Sequence, residues 1–63
     1  MPVVTVNTRK QNDIEKKRKL VKKITDALSE VYGVPKEHVT IQLREDNDED
    51  IGIGGVLLAD MQR

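Results

Sequence analysis

Pro2 follows the initial methionine in "MPVVTV". A methionine ahead of a residue as small as proline is normally removed after translation, and Pro2 then carries a free secondary amine. An unperturbed α-amino group titrates at about 7.7–8.0, and prolyl amines are more basic. An apolar surround or a neighbouring cation lowers that value toward neutrality. The result is a general base poised near working pH. Pro2 also has an ordinary reading, because proline is tolerated as the first residue of a strand.

The other chemistry-bearing groups have mostly structural readings. A lone histidine, His38, sits just before a strand and serves there as a surface or capping residue more readily than as a base. In "DNDEDIG" the acids Asp46, Asp48 and Asp50 have the spacing of a calcium loop. That pattern needs glycine after the third acid and glutamate at its twelfth position, and Ile51 and Leu57 stand there instead. "GIGG" at 52–55 follows an acidic loop rather than a strand, and Leu57 replaces the third glycine of a dinucleotide fingerprint. It reads as a tight turn. "KKRK" with Lys22 and Lys23 reads as a solvated helix face, since acids interrupt it and no aromatic residue is interleaved for base stacking.

Composition narrows the class. Eleven Lys and Arg balance eleven Asp and Glu, so charge points to neither nucleic acid nor a membrane surface. No cysteine is present, which excludes disulfides and thiolate metal sites. Arg9 and Lys10 are followed by polar residues rather than an apolar signal core, and no apolar run is long enough to span a bilayer. The expectation is a soluble cytoplasmic protein of one domain, residues 1–63, with a mature chain of 2–63. A chain of 63 residues buries only about 60% of its unfolded surface. Without disulfides or metals, oligomerisation is the expected remedy.

The elements that must position Pro2 follow from patterning. "PVVTVNT" (2–8) is β-branched and predicts a strand. Pro2, Val4, Val6 and Thr8 share one face, and Val3, Thr5, Asn7 and Arg9 the other. "NDIEKKRKLVKKITDALSEVYG" predicts one long helix, with Leu20, Val21, Ile24, Ala27, Leu28, Val31 and Tyr32 forming an apolar stripe. Asn12 is its expected N-cap with Glu15 three residues on, close to a capping box, and Gly33 and Pro35 stop it. "HVTIQLR" predicts a second strand. Strand, helix, strand implies a βαβ unit with parallel strands. "EDNDED" is a charged loop, and "IGIGGVLLADMQR" a short hairpin or terminal strand. The fold class is α+β. Val4, Val6, Val39, Ile41 and Leu43 face the helix. The semi-polar face of Thr5, Asn7, Thr40 and Gln42, with Arg9 and Arg44 at its ends, packs against other subunits, because parallel sheets have both faces covered.

In this order and spacing, "MPVVTV", "LVKKITDALSEVYGVPKEHVTI" and "IGIGG" resemble the 4-oxalocrotonate tautomerase family over essentially the whole chain. The resemblance implies βαβ units paired into dimers, and three dimers in a homohexamer. It implies an isomerase without metal or cofactor, in which the amino-terminal proline moves a proton within a small enol or dienol acid to give the ketone. Best-known members hold the substrate carboxylate and polarise its carbonyl with two arginines. On an ungapped alignment those positions fall at Asn12 and Thr40, neither of which is charged. The aromatic wall of the family pocket falls at Ile51, which keeps an apolar surface beside the amine. Arg9, on the face expected to meet another dimer and three residues before Asn12, is the candidate replacement for the carboxylate contact. The expected substrate-binding set is thus Arg9, Asn12, Thr40 and Ile51 around catalytic Pro2. The alternatives are a hydratase or dehalogenase using a cationic Pro2, and a non-catalytic oligomer that kept the scaffold.

Overall fold

A computed structural model describes residues 2–61. The β-branched opening forms β1 (Val3–Arg9). The apolar-periodic stretch forms α1 (Ile14–Tyr32), and a 3-10 turn at Lys36–His38 leads into β2 (Thr40–Asp46). A second 3-10 turn, Asp48–Asp50, precedes β3 (Gly52–Ile53), β4 (Val56–Leu57) and the helical turn α2 (Leu58–Met61). β1 and β2 are parallel, in register from Val3 opposite Thr40 to Arg9 opposite Asp46. The ladder continues past both ends. The Thr40 amide donates to the Pro2 carbonyl at 3.0 Å, and the Lys10 amide to the Asp46 carbonyl at 3.0 Å. This is the expected βαβ unit with a C-terminal antiparallel hairpin.

Four boundaries differ from the expectation. The helix cap is Asp13, not Asn12: Asp13 is extended (φ −139°, ψ 99°), and its Oδ1 accepts the amides of Glu15 and Lys16 at 3.1 and 3.2 Å. A carboxylate caps as well as an amide and adds a favourable interaction with the positive end of the helix dipole. Glu15 therefore stands one position too early for a capping box and pairs with Arg18 instead. β2 starts at Thr40 rather than His38, because residues 36–38 close the 3-10 turn, with the His38 amide bonded to the Pro35 carbonyl at 3.0 Å. Its far end extends to Asp46, taking Glu45 and Asp46 out of the acidic loop. The chain after the hairpin turns helical. The stop at Gly33 is as expected: φ is +70° and its amide caps the Ser29 carbonyl at 2.9 Å. At the hairpin, Gly54 and Gly55 have φ of +61° and +88°, the two left-handed residues that a tight two-residue turn requires.

Side chains alternate across the sheet as expected. Val4, Val6, Ile41 and Leu43 are half-buried toward α1, whereas Val3, Thr5, Asn7, Gln42 and Arg44 are exposed. Two strands are too narrow to cover a 19-residue helix. Val21, Ile24 and Leu28 are partly covered, but Val31 and Tyr32, on the same stripe, remain 74% and 72% exposed. Among the described residues no side chain is fully buried. The radius of gyration is 15.2 Å, where a compact domain of this length has about 11 Å. The accessible surface is 5115 Å², against roughly 4,100 Å² for a compact monomer of this mass. A single chain therefore leaves much of its apolar stripe in water.

Candidate active site

Pro2 heads β1 and is half-buried. Its carbonyl is fixed by the Thr40 amide, so two of the expected site residues meet at one end of the sheet. The other three lie at the opposite end. Arg9 closes β1, seven residues or about 23 Å from Pro2. Asn12 is exposed in the loop between Arg9 and the Asp13 cap. Ile51, half-buried, follows the Asp48–Asp50 turn, and its carbonyl accepts the Leu58 amide at 2.7 Å. Within one chain the five residues form two separate groups. His38 is exposed, two residues ahead of Thr40. Arg44 lies opposite Asn7 on the open sheet face and forms no ion pair among the described residues.

The Arg9 end is the more structured. Arg9 Nε and Nη2 donate to Asp48 Oδ1 and Oδ2 at 2.9 and 2.8 Å, a bidentate pair. Charged fork-to-carboxylate pairs of this kind combine directionality with strength. Asp48, in the stretch that the sequence presents only as a charged loop, thus has a definite partner. The parallel register carries the signal for it: β1 and β2 end on the same side, so residues just beyond β2 must meet the end of β1. A groove of ≈ 640 Å³ opens here, with Arg9, Lys10 and Gln11 on one wall and Asn47, Asp48 and Glu49 on the other.

Glu45 holds the loop behind that groove. Its carboxylate accepts Lys17 Nζ at 2.5 Å and the Gln11 amide at 2.6 Å. The Lys17 hydrogen bond, then that of the Gln11 amide, lowers the Glu45 pKa below its usual value. Asp26 makes a second tie, accepting Lys22 and Lys36 at 2.9 and 3.0 Å, and these two bonds lower its pKa. This tie fastens α1 to the turn before β2 and has no part in the site. Among the described residues no cluster of His, Asp or Glu has the arrangement of a metal site, and no helix is long and apolar enough to cross a membrane.

The family model of tautomerase enzymes matches residues 2–61. The chain belongs to the tautomerase family. It is 34% identical over 62 residues to the 2-hydroxymuconate tautomerase of Bacillus subtilis, covering 98% of this chain and all of that protein. A probable tautomerase of Lactiplantibacillus plantarum is 37% identical over 60 residues, 95% of this chain and 94% of the relative. A crystallised 4-oxalocrotonate tautomerase homologue superposes with a TM-score of 0.88 at 37% identity, covering 95% of each chain. The βαβ unit with its glycine hairpin is accordingly a tautomerase fold, and membership supports an isomerase activity. In this tautomerase Asn12 and Thr40 hold the positions where the family resemblance expects arginine.

Proposed function

We propose that this tautomerase converts a small enol or dienol acid to its keto form, with the amine of Pro2 as the proton carrier once Met1 is removed. Met1 itself lies outside the described residues. The observation that carries the reading is the placement of Pro2: half-buried at the head of β1, its carbonyl anchored by Thr40, in a chain whose family match begins at that residue. The neutral amine takes the enol O–H proton and leaves an enolate. As the oxygen lone pair closes the carbonyl, the alkene electron pair takes a proton from the prolinium at carbon, and the amine is restored. No cofactor enters the cycle.

The working site is built between copies of the chain. Arg9 stands too far from its own Pro2 to serve it, so it binds the substrate carboxylate in the pocket of a neighbouring copy. The uncovered stripe at Val31 and Tyr32 and the open sheet face support a closed assembly, which we take to be a hexamer of three dimers. Thr40 and Asn12 offer neutral hydrogen bonds where the family resemblance expects cations, and Ile51 supplies the apolar wall that favours a neutral amine. Neutral donors stabilise a developing oxyanion less well; losing one strong donor costs about a hundredfold or more in rate. Turnover of a dienol diacid such as the name of the Bacillus subtilis relative indicates is therefore slow.

The test is enol-acid ketonisation by wild type, Pro2→Ala and Arg9→Ala. The reading expects a large loss of kcat in Pro2→Ala and a raised KM in Arg9→Ala. Equal rates for wild type and Pro2→Ala contradict the catalytic reading, and an unchanged KM in Arg9→Ala contradicts the carboxylate contact.

A further inference from the structure

We infer that Asp48 is a positioning residue that sets the specificity of this site for carboxylates by aiming Arg9. The inference rests on the reading of Arg9 as the substrate-carboxylate contact. A guanidinium has five N–H donors in a fixed plane. Asp48 engages its side edge, Nε and one hydrogen of Nη2. The end-on edge, one hydrogen of Nη1 beside the outer hydrogen of Nη2, is left for a second carboxylate, and that edge also accepts a bidentate partner. The two carboxylates do not compete for the same hydrogens.

Asp48 is suited to aim rather than to block. Its side chain is 28% exposed, against 51% for Arg9, so the acid is the more enclosed member of the pair. It begins a 3-10 turn closed by the Asp50 amide on the Asn47 carbonyl at 2.8 Å. Arg9 is the last residue of a strand tied beyond its end by Lys10. Both backbones are therefore held, and the ion pair fixes the one freely rotating part between them. A long side chain loses less conformational freedom on binding when it is already held in its bound form. Asp48 also offsets the charge of Arg9 in the free enzyme, so a substrate must match the planar fork rather than merely carry negative charge.

The experiment is steady-state ketonisation of an enol carboxylate by wild type, Asp48→Asn, Asp48→Glu, Arg9→Ala and the Arg9→Ala/Asp48→Asn double variant, with assembly and Tm recorded for each. Asp48→Asn keeps the shape and loses one acceptor and the charge. The expected result is a KM raised about fivefold or more with kcat within about twofold, the signature of lost uniform binding. Asp48→Glu recovers part of the affinity, and the double variant is no worse than Arg9→Ala. A KM that is unchanged or lower in Asp48→Asn, with KM raised in Arg9→Ala, overturns the inference and makes Asp48 a bystander or a competitor. An unchanged KM in Arg9→Ala overturns the premise and the inference with it, and so separates the two failures.

Discussion

The Thr40 amide donates to the Pro2 carbonyl at 3.0 Å, so the residue that stands where the family resemblance expects an arginine is held next to the proposed base in the register of the sheet. Thr40 is half-buried, and its short side chain offers a neutral hydroxyl rather than a charged donor. Thr40→Arg is expected to raise kcat/KM on a dienol dicarboxylate by at least about tenfold, given the worth of one added electrostatic donor. Steady-state ketonisation measures it. No gain in a variant that retains its assembly contradicts the account of why Thr40 limits the rate.

The helix cap gives a sharper structural contrast. Asp13→Ala removes an acceptor shared by two amides and is expected to cost about 1 kcal/mol. Asn12→Ala, which removes no cap, leaves Tm nearly unchanged. Thermal denaturation of the two variants distinguishes them, and a larger loss in Asn12→Ala reverses the assignment.

The Glu45 tie predicts acid sensitivity. Lys17 and the Gln11 amide lower its folded-state pKa below the ordinary 4.5. A carboxyl with a depressed folded pKa stabilises the fold above its unfolded pKa, and that contribution is lost as pH falls through the folded value. The loop carrying Gln11 and Asn12 should therefore loosen as pH drops below 4.5. The amide shift of Gln11 followed by NMR across that range reads it directly. Glu45→Gln should already show the loosened state at neutral pH and lose the acid transition.

The pH–rate profile separates the proposed chemistry from its nearest relative. A neutral Pro2 acting as base gives kcat/KM that rises with pH through the amine's own titration and then levels. A hydratase-type reaction that needs the cationic proline gives a fall over the same range. A falling profile contradicts the tautomerase assignment of Pro2.

Much of this architecture is legible in the residues themselves, and the exceptions share a cause. Alternating Val4 and Val6 mark the covered face of β1, and Gly33 with Pro35 marks the helix end, because each signal is local and the backbone geometry it demands is narrow. Asn12 and Asp13 are both good caps, so spacing alone cannot say at which of them the chain turns helical. α2 has only four residues, too few for a period to declare itself. The Arg9–Asp48 pair joins residues 39 positions apart and depends on a register that only the folded sheet defines. The site is harder to read than the fold for the same reason on a larger scale. Pro2 and Arg9 sit at opposite ends of one strand, and the site proposed above joins them only through contacts between copies of the chain, which no pattern within one sequence displays.

The central claim is that the amine of Pro2, not merely a proline at that position, moves the proton. The most direct measurement compares ketonisation by a chain whose intact mass shows that it begins at Pro2 with one carrying a leucine inserted between Met1 and Pro2, which retains its methionine and turns the proline nitrogen into an amide. With assembly matched between the two, the account predicts that the extended chain loses at least about a hundredfold in kcat, as expected for removal of a general base. Equal kcat in the two chains contradicts it.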